Sequence, residues 1–445
     1  MMHIQLSDHF TYGKLLKFTI PSIAMMIFTS IYSVVDGFFV SNFVGKTPFA
    51  AINLIMPVLM ILGTVGFMFG TGGTAIVAKT YGEGNKEKAN SYFSLFVYVA
   101  FVIGIILSVL GFIFIHPVSS LLGASGELLE NCIAYARIIL VALPFFILQV
   151  MFQSFFVAAE KPHLGLAVTI SSGITNMILD AVLVMILPQE YKLTGAAIAT
   201  AMSQVVGGVI PLFYFFRKNN SVLRLGKTKF EGRAILKACT NGSSEFMSNI
   251  SMSLVGMLYN FQLMKYAGEN GVAAYGVMMY ISMIFAAAFI GYSIGTAPII
   301  GYHDGAENHT ELKGLLHQSL TMIAIFGIGM VIAAELLAVL LANIFVGYDE
   351  VLTKLTISGF RIFSLSFAFM GFGIFASGFF TALNDGVTSA IISFLRTLVF
   401  QVIVIMTLPM ILGIDGIWIS IVVAEFMSVV LGTVFLIVKR KKYNY

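Results

Sequence analysis

Two aspartates stand where a charged side chain is least expected. Asp36 lies in SIYSVVDGFFVSNFV and Asp180 in SGITNMILDAVLVMIL, apolar runs long enough to be membrane spans. A carboxylate at bilayer depth costs about 2.5–3.5 kcal/mol on insertion scales, so it faces a protein cavity and marks an ion or substrate path. Asn176 precedes Asp180 by four residues and shares its helix face. An amide oxygen beside a carboxylate can help strip water from Na⁺, or hydrogen-bond a carboxyl that takes up and releases a proton. If Asp36 faces the same cavity, the pair can be charged when open to one side and neutralised before the switch. Both aspartates fall in the first half of the chain, an asymmetry that points to ion-coupled transport.

Other polar residues in apolar runs are weaker candidates for lining a cavity. Glu245 opens a span within NGSSEF, Glu335 lies deep in the ninth or near its far end, and Glu425 sits in the last, where an internal repeat pairs it with Gln204. Pro21 removes a backbone donor inside the first span and predicts a kink or hinge; Pro57 and Pro298 pose the same question in the second and eighth.

Composition decides what must carry these residues. Of 445 residues, 58% are hydrophobic and 10% charged, with mean hydropathy +0.95. So little charge cannot cover a soluble domain of this size, and the chain reads as a polytopic membrane protein. Lys14 and Lys17 precede the first apolar run, which has no short core ending in a small-residue cleavage site and is expected to be a retained span. Apolar runs predict twelve helical crossings, at 15–43, 52–79, 91–115, 131–158, 163–187, 194–217, 238–266, 272–301, 312–346, 350–382, 387–411 and 414–438. Loops on the side of the N-terminus hold eighteen Lys and Arg against six on the other, so both termini are expected in the cytoplasm.

The halves repeat. YGEGN (81–85) matches DGAEN (304–308), Gly45 with Ala50-Ala51 matches Gly268 with Ala273-Ala274, and SFFVAA (154–159) matches SGFFTA (377–382), each 223 residues on. The offset slips to 221 where LTGAAIA (193–199) faces IDGIWIS (414–420). The expected organisation is an N-lobe (1–217), a basic cytoplasmic linker (218–237) and a C-lobe (238–445). Six crossings per lobe start both on one side, with an axis along the membrane normal and a binding site between them.

Several chemistries find no support. Gly-rich stretches at 66–73 lie inside an apolar helix with no preceding strand, and no Walker-type loop is present, so ATP hydrolysis is not expected. Histidines show no metal-ligand spacing, and Cys132 and Cys239 read as small packing residues. A net charge of +4, scattered through loops, is no nucleic-acid footprint. No cofactor is expected. The 24 Met and 41 Phe would suit a cavity that accepts varied apolar shapes, and acidic residues in it would favour cations.

DGFFVSNFVG (36–45), AKTYGEGNKEKA (78–89), NMILD (176–180), GAAIATAMSQ (195–204) and GTAPIIGYHDGAEN (295–308) together resemble the multidrug and toxic compound extrusion family, essentially end to end. That resemblance implies twelve helices in two lobes around a V-shaped cavity. It implies export of organic cations and amphipathic drugs in exchange for Na⁺ or H⁺, by a plasma-membrane protein, with a monomer as the default. In members with an N-lobe cation site, the matching positions are Asp36, Asn176 and Asp180, completed by Thr200 and Tyr135, with Pro21 as the kinking proline. Other members use a C-lobe site with a seventh-span glutamate, which Glu245 matches early in its span, and a tenth-span aspartate; 361–382 has no carboxylate, which favours the N-lobe. The rival within the wider superfamily is a lipid-linked precursor flippase, which needs basic cavity residues for its phosphates, and Arg396 is the one well inside a span. A channel or receptor has no obvious use for the paired acids. An intramembrane hydrolase would need a nucleophile–base pair or metal ligands that the spans do not display.

Overall fold

The computed structural model describes residues 4–445, and among them every regular element is helical. Six helices form the first half: α1 (Tyr12–Phe39), α2 (Lys46–Gly82), α3 (Lys86–Leu121), α4 (Gly126–Ala158), α5 (Pro162–Ile186) and α6 (Lys192–Phe216). The second half holds α7 (Gly232–Asn241), α8 (Ser243–Gly305), α9 (His309–Val346), α10 (Glu350–Ser364), α11 (Phe367–Ala382), α12 (Gly386–Phe394), α13 (Gln401–Leu412) and α14 (Ile414–Tyr443). α8 is two crossings broken at Gly268, α10 and α11 form one bent by 47°, and α12 and α13 form one through a π-helical stretch, Leu395–Phe400. The total is the twelve that apolar length predicts.

The repeat is written into the backbone. Gly45 (φ 116°) and Gly268 (φ 61°) break the chain at matching points, in a region that glycine enters without a Cβ penalty. Asn85 and Asn308, also 223 apart, cap α3 and α9 in the same way, each accepting the amide three residues on.

Two expectations need correction. The seventh crossing begins at Ser243, not 238, because a separate short helix, α7, precedes it; its sequence is amphipathic rather than uniformly apolar, so it packs beside α2 instead of extending the span. The tenth crossing is not one continuous helix: 3₁₀-like bonds from Leu365 to Ile362 and from Ser366 to Phe363 tighten the backbone at its bend. Pro21 lies buried within an α1 that runs unbroken past it.

The most buried crossing, α4, forms the centre of the first half, while α3 turns a largely apolar face outward, as a lipid-facing helix does. Residues 219–228 run along α3: Arg224 N donates to Asn90 Oδ1 (2.6 Å), and Tyr98 Oη donates to the Gly226 carbonyl (3.1 Å).

The halves meet at the end that carries the termini. Gly291 takes the backbone of Ser22 and Ile23 against it, and Gly295 takes Thr19. A Cβ on Gly82 would collide with the Tyr302 carbonyl, and one on Gly305 with that of Lys79. Lys79 pairs with Asp304 (2.8 Å), and Asn384 Nδ2 donates to the Ala75 carbonyl (3.1 Å). The N-terminal segment lies over this seam: Leu6 N donates to Glu160 Oε1 and Phe10 N to Glu311 Oε1, both at 2.8 Å.

Candidate functional site

Four crossings of the first half bring the predicted residues together at their ends away from the termini. α5 presents Gly173, Asn176 and Asp180 on one face. Gly173 matters because a Cβ there would press on the rings of Phe28 and Tyr32, so its absence lets α1 approach. That approach sets Asp36, one turn beyond Tyr32, against Asn176 and Asp180. Asn176 Nδ2 donates to Asp36 Oδ1 at 3.5 Å, a long bond. Asp36 also lies at hydrogen-bonding range of Asp180.

Most of this cluster is sealed from solvent and starved of donors. Asp180 is 0% and Asn176 1% exposed. Neither Asp180 oxygen receives a well-formed hydrogen bond, and Asn176 Oδ1 receives none either. Buried polar atoms are nearly always partnered, and an orphaned carboxylate costs far more than a hydroxyl. Two carboxylates side by side cannot both stay charged without a cation between them. Three buried acceptor oxygens without hydrogen-bond partners, two on Asp180 and one on Asn176, suit a hard cation or a proton. Among the described residues no group of three His, Cys, Asp or Glu forms a metal site, so the set consists of two carboxylates and an amide.

Tyr135 on α4 is buried, with its hydroxyl in reach of Thr200 on α6 and both aspartates nearby. Thr200 Oγ1 donates back to the Ala196 carbonyl (3.1 Å), which leaves its lone pairs free. All five predicted residues therefore gather in one place. Gln204, one turn beyond Thr200, is buried with Oε1 unpartnered.

Sequence reasoning missed a polar string that backs the cluster. Tyr32 is within hydrogen-bonding reach of Gln149. Gln149 Nε2 donates to Ser172 Oγ (3.0 Å), and Ser172 Oγ donates to the Ser203 carbonyl (2.7 Å). A signal existed: Tyr32 precedes Asp36 by four residues, and Gln149 is an amide in an otherwise apolar run.

The remaining candidates lie elsewhere. Glu245 is in the first turn of α8, near the seam and at the opposite end of its crossing from the aspartate cluster. Glu335 accepts from Ser364 Oγ (2.8 Å) beside the bend of the tenth crossing. Glu425 is held by Arg396 through two bonds, Nε to Oε2 (2.9 Å) and Nη2 to Oε1 (3.0 Å), so neither is a free charge. In the second half, the seventh and eleventh crossings, the counterparts of α1 and α5, are joined by neutral groups: Tyr259 Oη donates to Gln401 Oε1 at 2.9 Å.

Comparison with known proteins bears on the family and the fold. The multidrug export protein MepA of Staphylococcus haemolyticus is 26% identical over 422 residues, covering 93% of this chain and 90% of that one. MepA of Staphylococcus aureus strain MRSA252 is 23% identical over 417 residues, covering 93% and 91%. A multidrug resistance MATE family transporter of the MOP superfamily, solved in an outward-facing conformation, superposes with a TM-score of 0.93 at 24% identity, over 100% of this chain and 99% of that one. The sequence model of the MatE family matches twice, at residues 21–182 and again at 246–407, once in each half. With both halves matched and twelve helical crossings in the fold, the chain belongs to the MatE family of membrane transporters.

Proposed function

We propose that this protein exports organic cations and amphipathic drugs by alternating access, in exchange for H⁺ or Na⁺ bound at Asp36, Asn176 and Asp180, with Thr200 and Tyr135 completing the site. The observation that carries the reading is the donor-poor, buried set of oxygens on Asp180 and Asn176 beside Asp36. Such a set is costly when empty and favourable when it holds a cation, so its occupancy can be tied to a conformational change. The two relatives above are named as multidrug export proteins, which supports the substrate class.

The moving bodies are the two lobes, 1–217 and 238–445, joined through 218–237, and the working unit is a monomer in the plasma membrane. The excess of Lys and Arg on the side of the termini supports a cytoplasmic location for that side. The halves pack together there, at Gly82 against Tyr302 and Gly305 against Lys79, which supports a reading in which the cavity between them opens on the opposite, outer side. A cation entering from outside reaches the acid pair, drug leaves, and the loaded protein closes outward and opens inward.

The flippase reading loses ground on one contact. A pyrophosphate-bearing lipid needs free basic groups in the cavity, and Arg396 is already neutralised by Glu425. The family is one of transporters, and the enzyme alternative is dropped.

The test is efflux of a fluorescent organic cation from proteoliposomes under an imposed Na⁺ or pH gradient. Wild type is compared with Asp36→Asn and Asp180→Asn. Transport driven by one gradient and lost in both variants supports antiport at this site and names the ion. Unchanged transport in both variants refutes the site, and a wild type that moves no cation but flips a labelled lipid precursor refutes the drug assignment.

A further inference from the structure

We propose that the outer surface of the second half carries a binding site for an anionic glycerophospholipid, drawn from the leaflet on the side of the termini. The site is the groove between α9 and α14. Both helices pack on α11 but scarcely on each other, which leaves a cavity of about 430 Å³. That volume is in the range of small-molecule sites, about 300–1,000 Å³.

The groove is two-toned along its length. Its floor and walls are apolar, including Phe372 and Ala376 of α11, Leu320 of α9 and Leu436 of α14. Gly432 makes it deep: a Cβ there would sit 3.1 Å from the Ala376 methyl, so α14 lies close on α11. At the end nearest the termini stand three basic side chains: Lys313, His317 and Arg440. Lys313 and His317 are four apart and share one face of α9; Arg440 comes from the last turn of α14.

Charge bookkeeping separates these groups from their neighbours. Lys439 and Lys442, on the other face of α14, both pair with Asp385, at 3.1 and 3.6 Å. Glu311, near Lys313 in sequence, is taken up by the Phe10 amide and by His9. Among the described residues, neither Lys313 nor Arg440 pairs with an Asp or Glu side chain; Arg440 Nε donates to a main-chain oxygen of Tyr445 at 3.0 Å and leaves its other guanidinium nitrogens for a ligand. Basic pockets between spanning helices recognise anionic head groups, at about 1 kcal/mol per basic residue near the surface. A basic cap over an apolar groove that faces the bilayer matches a phosphodiester head with its acyl chain, rather than a free anion or a zwitterionic lipid. This site is remote from the aspartate cluster and does not depend on it.

The experiment is native mass spectrometry of the full-length protein in detergent, titrated with phosphatidylglycerol or phosphatidylcholine. Wild type is expected to retain one phosphatidylglycerol in preference to phosphatidylcholine. The variant K313Q/H317Q/R440Q should lose that preference about tenfold or more. Thr433→Trp, which fills the groove from an exposed position on α14 and leaves the charges intact, should weaken phosphatidylglycerol as well, and it serves if the triple variant fails to fold. K227Q/K229Q/R233Q, which removes three basic residues elsewhere, should behave as wild type. Equal retention of the two lipids by wild type, or undiminished preference in the triple variant, overturns the proposal. So does stabilisation by inorganic phosphate alone to the same extent as by phosphatidylglycerol, which would mark a phosphate site instead.

Discussion

Replacing Gly82 by alanine should push the protein out of the state described here. Gly82 is the last residue of α2, at the seam between halves, and an added Cβ would overlap the Tyr302 carbonyl, a backbone atom that cannot rotate away. Its φ is not among the positive values, so alanine fits the backbone at Gly82 itself. The cost therefore falls on closure of the seam. Overpacking of this kind costs about 1–3 kcal/mol, and at 1.4 kcal/mol per factor of ten the closed state should lose roughly 5- to 150-fold in population. The assay is thiol labelling of Ala78→Cys, a buried position against Gly301, in a background with Cys132 and Cys239 replaced by alanine. Gly82→Ala should raise the labelling rate from the side of the termini and slow transport. Unchanged labelling together with unchanged transport would show that the seam yields elsewhere, and the reasoning would fail.

Three further outcomes are expected. Glu425→Gln leaves the part-buried Arg396 without its counter-charge and should cost toward the lower end of about 3–5 kcal/mol, read as a fall in thermal midpoint, whereas Arg396→Met combined with Glu425→Leu should be near neutral; equal losses in both would contradict this. Tyr259→Phe should leave gradient-driven transport intact at a cost of about 1 kcal/mol of stability, since its bond to Gln401 joins crossings outside the acid site; loss of coupling would move the site into the second half. For Asp385, burial pushes the carboxyl up but is outweighed by hydrogen bonds from Tyr443, Lys439 and Thr388, which hold it below the usual carboxylate range. Its contribution is then fully present above the unfolded value, about 3.9, and is lost as pH falls through the lower folded value. Asp385→Asn should flatten the acid limb of a stability–pH curve below pH 4, and an unchanged limb would refute the role.

Crossing number, repeat and the placing of two aspartates inside crossings of the first half were legible because each rests on a strong local signal. Length of apolar run fixes a span, and a carboxylate inside one is expensive enough to mean something. The tenth crossing resisted because Ser364, Leu365 and Ser366 carry no proline or glycine to announce a bend. α7 resisted because its apolar face runs almost directly into the seventh span, with only Gly242 between. The Tyr32–Gln149–Ser172 string depends on packing among α1, α4 and α5, which no single helix pattern records. Arg396 was visible as an isolated charge, but its partner, 29 residues away on a neighbouring crossing, was not.

The restriction of the acid pair to one half sets a ceiling on the energetics of exchange. With Tyr259 and Gln401 in the other half, the proposed coupling would rest on two titratable acids at one locus, and a cycle would then import one Na⁺ or at most two protons. Swapping a monovalent drug cation for a single ion moves no net charge, and the membrane potential then does nothing for export. Swapping it for two protons carries one charge inward, about 2.3 kcal/mol per 100 mV, or roughly a fifty-fold drug gradient at 1.36 kcal/mol per decade. Loss of either aspartate should therefore convert an electrogenic pump into an electroneutral or uncoupled one.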